Sequence, residues 1–296
     1  MYSPPLQKGD VIGLIAPSSP LNPGDLEKGI HFLEQQGFKI KLGKHINDAD
    51  RFLAGKDEDR AKDIMDFFKD KEVKAIIAIR GGQGSQRLLP LLDYEIIAAN
   101  PKIVVGFSDT TALQLGLLKK TGLITYTGFT LTVLRNDLVE KTLVDCLSGK
   151  SFQIEEGTTV HSGIAEGPLV GGNLMILTNL MGTPYQPDFK GCILLIEDVG
   201  IEPYNVDGMI SQLDLAGVFD QVAGVIFGQF ENCVNRNPDH TDTVEDVINE
   251  WSNRIKVPCI KDFPYGHGKK NSVLPIGANV LLDATKAKLT IKLSRK

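Results

Sequence analysis

The fold is decided by the stretch Lys102-Ile-Val-Val-Gly-Phe-Ser-Asp-Thr-Thr-Ala-Leu113. Its β-branched run, residues 103–105, predicts a buried strand, and Gly106 permits a sharp turn because it lacks a Cβ. Ser108 and the polar residues after it favour a helix start. Ser108 therefore lies where a strand ends and a helix begins, beside unpaired N–H groups and the positive end of a helix dipole. These surroundings suit a nucleophilic serine, although a simple helix cap would use the same residue.

Strands and helices alternate on both sides of this stretch. Apolar runs at 11–16, 38–42, 73–79 and 124–126 predict strands, and helical patterns separate them. This alternation is typical of an α/β fold with a parallel sheet and helices on both faces.

The composition changes in the middle of the chain. A polar stretch rich in Gly, Glu and Thr predicts a linker at 149–166. The chain then divides into an N-terminal α/β unit, 1–148, and a C-terminal α/β unit, 167–296. Within the second unit, alternation over residues 272–293 predicts a closing hairpin.

Composition restricts the class of protein. A chain of 296 residues with 42% hydrophobic and 23% charged residues is predicted to be globular. The net charge of -5 does not indicate binding to nucleic acid, and no apolar run reaches the length of a membrane span. The polar N-terminus lacks the apolar core of a signal peptide, so we expect a cytoplasmic protein with reduced cysteines. Apolar neighbours predict core positions for Cys146, Cys192 and Cys259.

The third predicted strand leads into a glycine-rich loop, Arg80-Gly-Gly-Gln-Gly-Ser85. Its spacing matches neither the dinucleotide fingerprint nor the phosphate loop, which disfavours a nicotinamide-dependent dehydrogenase. Such a loop still offers bare backbone N–H groups to an anion, and a developing oxyanion suits it as well as a phosphate does. A flexible turn is the alternative.

A nucleophilic serine needs a base, and the base needs an acid that orients it. Among the five histidines, His267 is the best candidate because its flanking glycines leave the imidazole projecting from a loop. The candidates for the acid are Glu197 and Asp198, which end a strongly apolar strand. Side chains alternate along a strand, so only one of the two is expected to face the base. The alternative is that both are solvated loop charges. His31 is predicted to be structural, and His45, His161 and His240 lie in polar stretches without a special setting.

Five motifs, taken together and in order, resemble one family. They are the loop Arg80-Gly-Gly-Gln-Gly84, then Gly106-Phe-Ser-Asp-Thr-Thr111, Gly171-Gly-Asn-Leu174, Leu195-Ile-Glu-Asp-Val199 and Pro264-Tyr-Gly-His267. The ordered set spans nearly the whole chain and resembles the serine L,D-carboxypeptidase family. This family contains the muramoyl-tetrapeptide carboxypeptidases and the related microcin-immunity peptidases.

The resemblance implies roles for five residues. Ser108 would be the nucleophile, Glu197 the acid and His267 the base, and the backbone N–H groups of Asp109 and Gly82 would form the oxyanion hole. It also implies a flavodoxin- or glutaminase-like N-terminal domain with a parallel sheet, a smaller mixed α/β C-terminal domain and an active site between them. Neither a metal nor another cofactor is implied. Family members are commonly dimers, which implies a homodimer.

The resemblance also implies a substrate. This is a small peptide, a muropeptide tetrapeptide that loses its terminal D-alanine through an acyl-enzyme. Arg80, Gly81 and Asn173 are the candidates for contact with this substrate. No nucleic-acid or membrane partner is expected.

Two departures from the family pattern concern recognition. Gln83 stands where the family's glycine loop usually continues with an aromatic residue. Asn205 and Gly208 replace two arginines of the family stretch P-Y-R-x-D-R, and the loss of two cations weakens recognition of an acidic peptide. An immunity-type peptidase that cleaves a peptidyl or aminoacyl nucleotide amide is therefore one alternative. A non-catalytic small-molecule binding protein, in which Ser108 only caps a helix, is another.

Overall fold

A computed structural model describes residues 1–22, 24–132 and 136–293. In the first half of the chain, strands alternate with helices as the sequence predicts. The strands are β1 (Val11–Ile15), β2 (Lys39–Leu42), β3 (Val73–Ala78), β4 (Ile103–Gly106) and β5 (Thr125–Thr127). The helices are α1 (Asp25–Gln35), α2 (Asp57–Lys69), α3 (Tyr94–Ala99), α4 (Thr111–Thr121) and α5 (Asp137–Ser148), with 3-10 helices at Ser85–Leu91 and Ser108–Thr110.

These five strands form a parallel sheet in the order β5-β4-β3-β1-β2. All residues of β4, and all but one of β3, are buried, because helices cover both faces of the sheet. The predicted α/β class is thereby confirmed. In such a sheet the carboxyl ends of β3 and β4 lie side by side, which brings the glycine loop next to Ser108.

The second half of the chain builds an eight-stranded mixed sheet in the order β6-β14-β13-β8-β9-β10-β11-β7. Strands β8 to β11 run parallel, and the outer strands are antiparallel. The strands are β6 (Phe152–Glu155), β7 (Thr158–His161), β8 (Ile164–Asn173), β9 (Ile193–Val199), β10 (Gly224–Glu231), β11 (Cys259–Lys261), β13 (Asn279–Asp283) and β14 (Lys288–Ile291). The helices are α6 (Leu174–Asn179), α7 (Pro203–Leu215) and α8 (Val244–Arg254).

The segment 149–166, predicted as a linker, is not irregular. It contains β6, β7 and the start of β8, so it forms both edges of the second sheet. Strand β6 buries only every second residue, and β7 buries none fully. Its polar composition reflects these half-solvated edge strands, and the boundary between the two units stays a prediction.

The chain returns to the first sheet near its end. Strand β12 (Leu274–Ile276) pairs antiparallel with β5, and the sequence did not predict this pairing. The tail after it forms the predicted hairpin, since β13 and β14 pair around a 3-10 turn at Ala284–Lys286.

Helix α4 lies between the two sheets. Its residues 111–117 are all buried, and it contacts β8 of the second sheet as well as β4, β5 and β12 of the first. The buried part of α4 is mainly apolar, and the side chain of buried Gln114 donates to the Tyr126 carbonyl at 2.7 Å. Since α4 directly follows the Ser108 turn, the turn is held from both sides.

The four cysteines are free and buried. This confirms the core positions predicted for three of them, and Cys233 joins them. Over the described residues, no helix combines the length and apolar character needed to cross a bilayer.

Candidate active site

Ser108 occupies a strained turn at the end of β4. Its φ of 62° lies in the left-handed region, which a non-glycine residue enters only when its surroundings impose it. It begins a 3-10 turn whose N-cap is Phe107, and no side chain caps that turn or α4. The structure therefore does not use Ser108 as a helix cap. Its hydroxyl makes no hydrogen bond within the described residues and lines a cleft of about 260 Å³.

The carboxylate of Asp109 fastens this turn to the glycine loop. It is 2% exposed and accepts hydrogen bonds from Ser18 Oγ (2.5 Å), Gly84 N (3.1 Å) and Ser85 N (2.9 Å). The fully buried guanidinium of Arg60 also donates to the Gly84 carbonyl at 3.3 Å. A buried carboxylate is tolerated when donors surround it, so the loop and the turn keep a fixed spacing.

At two positions of the loop only glycine fits, because another residue lies close to its backbone. A Cβ on Gly81 would lie 2.8 Å from the Ser108 Cβ, and a Cβ on Gly82 would lie 2.3 Å from Ser19 Oγ. Gly82 also has a φ of 115°, which disfavours any L side chain. Neither the Gly82 N–H nor the Asp109 N–H donates a hydrogen bond among the described residues. Both donors are thus free beside Ser108.

A hydrogen-bonded pair of a histidine and a carboxylate lies at the same cleft. His267 Nδ1 donates to Glu197 Oε2 at 2.7 Å, and the Glu197 side chain is fully buried. Because a carboxylate only accepts, the proton of neutral His267 lies on Nδ1 and Nε2 is left as an acceptor. The tautomer that a general base needs is therefore set by the hydrogen bond.

Glu197 is supported from behind by an amide. Asn173 Nδ2 donates to Glu197 Oε1 at 3.3 Å and to Asp198 Oδ1 at 3.1 Å, while Asn173 Oδ1 accepts from a backbone N–H at the start of α6. Asp198 also accepts two backbone N–H groups, and burial raises its pKa. Both carboxylates are buried, so they are not solvated loop charges, and of the two only Glu197 bonds His267.

Two opposing effects act on the pKa of His267. Burial lowers it, whereas the hydrogen bond and negative charge of Glu197, with the charge of Asp198, raise it. The net result is a pKa above the ordinary value for histidine. The imidazolium is favoured because its positive charge is paired with a buried carboxylate.

The structure brings most of the predicted site residues together. Arg80, Gly81, Gly82, Ser108 and His267 line one cleft. Glu197 and Asn173 lie behind His267, and Asn173 is 5% exposed and does not line the cleft. The sequence analysis missed four further lining residues: Phe107, Thr130, Thr132 and Asn271.

Asn271 connects the loop that carries His267 to the first sheet. Its Oδ1 accepts from Gly266 N at 3.2 Å, and its Nδ2 donates to the Gly128 carbonyl at 2.8 Å. The Tyr265 hydroxyl makes a second tie, at 2.8 Å to Thr127 Oγ1. The sequence around Asn271 and Tyr265 does not reveal these two contacts, because Gly128 and Thr127 lie more than a hundred positions away in the chain.

Two family models match most of the chain. The LD-carboxypeptidase N-terminal domain matches residues 12–128, and the LD-carboxypeptidase C-terminal domain matches residues 166–282. The chain belongs to the LD-carboxypeptidase family. The resemblance drawn from the sequence motifs is confirmed, and this carboxypeptidase is a hydrolase.

Individual relatives of the carboxypeptidase match over almost their full length. It is 36% identical over 297 residues to the probable murein peptide carboxypeptidase of Bacillus subtilis (strain 168). The matched region covers 97% of this chain and 93% of the relative. It is 30% identical over 334 residues to the microcin C7 self-immunity protein of Escherichia coli, with coverage of 98% and 95%. The solved muramoyltetrapeptide carboxypeptidase from Oxalobacter formigenes superposes with a TM-score of 0.86 at 28% identity, over 95% of this chain and 97% of that one.

The departures from the family pattern lie outside the cleft of the carboxypeptidase. Gln83 is exposed at the rim of the glycine loop, and its N–H donates to Ser19 Oγ at 3.1 Å. Asn205 and Gly208 are exposed on α7. None of the three is among the described lining residues.

The close approach of Gly82 yields a prediction about stability. Gly82→Ala should lower the free energy of unfolding by about 2–4 kcal/mol, because the new methyl group meets Ser19 and the left-handed backbone is strained. Gly182→Ala is the matched control, since Gly182 also has a positive φ, 74°, but open space around it. This control should lose only about 1 kcal/mol. Urea unfolding measures both values, and equal losses would mean that the Ser19 contact is relaxed in solution.

Proposed function

We propose that this carboxypeptidase removes the C-terminal D-alanine from a muropeptide tetrapeptide, with Ser108 as nucleophile, His267 as base and Glu197 as acid. The observation that carries the proposal is the hydrogen bond of 2.7 Å between buried Glu197 and partly buried His267, at the cleft lined by the strained Ser108 turn. The substrate class is supported by relatives named murein peptide carboxypeptidase and murein tetrapeptide carboxypeptidase. The cytoplasmic location and the homodimer implied by the resemblance belong to the same proposal.

The reaction begins with a proton transfer from Ser108 to His267 Nε2 as the serine oxygen attacks the scissile carbonyl. Glu197 keeps the imidazole in the required tautomer and stabilises the imidazolium that forms. His267 then gives the proton to the leaving amine of D-alanine. Water hydrolyses the acyl-enzyme by the same base, which releases the tripeptide and restores the Ser108 hydroxyl.

The oxyanion is held by two backbone donors in this proposal. The N–H groups of Gly82 and Asp109 make no hydrogen bond within the described chain, and both belong to segments that the Asp109 carboxylate holds at fixed spacing. A donor fixed before the reaction stabilises developing charge without reorganisation. Each such donor contributes roughly 100- to 1,000-fold in rate.

Arg80 is proposed to bind the free carboxylate of the substrate. One guanidinium N–H donates to the Pro20 carbonyl at 2.7 Å, which holds the group in the cleft and leaves its other donors available. Gly81, the next residue, keeps the substrate path to Ser108 open because it has no side chain. Asn173, whose amide is committed to the two carboxylates, is proposed to support Glu197 and not to contact substrate.

The immunity-type alternative is less well supported by the cleft. A nucleobase is normally held against an aromatic or apolar face. Among the described lining residues the one such ring belongs to Phe107, and the imidazole of His267 already covers it, with ring centroids 4.4 Å apart. The walls formed by Thr130, Thr132 and Asn271 suit a peptide backbone better.

The first test is mass spectrometry of a muropeptide tetrapeptide incubated with each variant. Wild type should release one alanine, whereas Ser108→Ala should be slower by about four or more orders of magnitude because no nucleophile remains. Ser162→Ala, at an exposed serine, is the control and should match wild type. Equal release by Ser108→Ala and wild type would sink the proposed nucleophile, and no release by wild type would sink the substrate.

The pH dependence of kcat/KM follows from the direction of the His267 shift. Protonated His267 is no base, so activity should fall as the pH drops through a pKa above the ordinary histidine value. Glu197→Gln removes the charge that raises this pKa, so the acid limb should move to lower pH while the plateau falls roughly 10,000-fold. Glu72→Gln, at an exposed carboxylate, should change neither. An unmoved acid limb in Glu197→Gln would show that another group controls it.

The role of Arg80 can be tested with a paired substrate. Wild type should prefer a tetrapeptide with a free terminal carboxylate over its C-terminal amide. Arg80→Gln should lose about 10- to 100-fold in kcat/KM on the acid and little on the amide, because a charge-assisted hydrogen bond is lost only with the acid. Arg51→Gln, at an exposed arginine, is the control. Equal losses on both substrates would place the carboxylate elsewhere.

A further inference from the structure

One aromatic ring in the cleft has no part in the mechanism so far. The ring of Phe107 lies against the imidazole of His267, with centroids 4.4 Å apart and planes inclined by 33°. Phe107 is 2% exposed, so its side of the contact is buried, whereas the His267 side chain is 22% exposed at the cleft. The inference drawn from it rests on the proposed function, because His267 must be the base.

Glu197 by itself does not fix the imidazole. It bonds one ring nitrogen, Nδ1, and a single hydrogen bond leaves the ring free to turn about its axis. No hydrogen bond to Nε2 is found within the described residues. The face contact with Phe107 is therefore the second restraint that sets the plane of the ring.

Phe107 is itself held in place. Tyr265 packs edge-on against it, with centroids 5.8 Å apart and planes at 80°, and Tyr265 is fully buried and bonded to Thr127. Phe107 also directly precedes Ser108 in the chain and has an extended backbone, with a φ of -163°. A single residue thus connects the nucleophile turn to the base.

The contact also has an electrostatic consequence. The face of an aromatic ring is negative and attracts a cation, so it stabilises imidazolium relative to neutral imidazole. General-base catalysis forms this imidazolium during the reaction. The ring thus acts at the moment when the proton moves, in addition to its packing.

We propose that Phe107 is a positioning residue for His267, which holds the plane of the imidazole and stabilises its charged form during proton transfer. Other groups also bear on the charge of His267, and the test must separate them from the ring. They are Glu197 and Asp198 behind it, Tyr265 on its own loop, Arg80 across the cleft and Glu231 beside Gly268.

The test compares three variants. Phe107→Leu removes the aromatic face, Phe107→Tyr keeps it, and Phe68→Leu makes the same change at a buried phenylalanine on α2, outside the cleft. The readouts are the pKa of His267, followed by NMR of its ring nitrogens, and the pH profile of kcat and KM on the tetrapeptide. Phe107→Met, of similar volume, serves as a second variant if Phe107→Leu does not fold.

Phe107→Leu should lower the pKa of His267 by about 0.4 to 1.5 units and lower kcat about 2- to 30-fold, with little change in KM. Phe107→Tyr should keep both values near wild type, and Phe68→Leu should leave them unchanged. An unshifted pKa in Phe107→Leu, or a Phe107→Tyr that behaves like it, would overturn the inference. The NMR readout needs no turnover, so a failure of the proposed reaction, seen as full activity in Ser108→Ala, stays distinct from a failure of the ring contact.

Discussion

The buried carboxylate of Asp109 is the interaction on which the site depends. It accepts hydrogen bonds from the chain after β1 and from the glycine loop after β3, and it belongs to the turn after β4, so three neighbouring strand ends meet at one anion. Removing a carboxylate from water costs free energy, and three hydrogen-bond donors offset this cost. The same hydrogen bonds hold the three donors in place. The backbone of Gly82 and the hydroxyl of Ser108 take their positions from this arrangement.

The imidazole of His267 is held by a different set of contacts. The loop that carries His267 is bonded to both sheets. The Tyr265 carbonyl accepts a hydrogen bond from Gln229 N in β10 of the second sheet. The Tyr265 hydroxyl bonds Thr127 at the end of β5, and Asn271 bonds the next residue, Gly128, before β12 joins the first sheet. Glu197 lies in the second sheet, near the end of β9. The hydrogen bond between Glu197 and His267 therefore lies where the two sheets meet.

Much of this site was predictable because its parts are local. The β-branched run before Gly106 predicted β4, and the glycines of the loop after β3 predicted a place where backbone must approach another group. The type of residue at 108, 197 and 267 pointed to acid–base chemistry, and the order of the motifs pointed to the family. The side chains that hold these three residues in place were not predictable. Asn173 was predicted to contact the substrate, but it is buried and donates to Glu197.

The sequence by itself determined the parallel sheet of the first half, the turn that presents Ser108, and the family to which the chain belongs, because these depend on patterns within a few residues or on motif order. Tertiary structure decided which of two adjacent carboxylates bonds His267, that Phe107 covers the imidazole, and that β12 completes the first sheet. Glu197 and His267 are 70 residues apart, and Ser18 and Asp109 are 91 apart. Contacts over such separations depend on how the sheets pack against α4, and no short stretch of sequence carries that information.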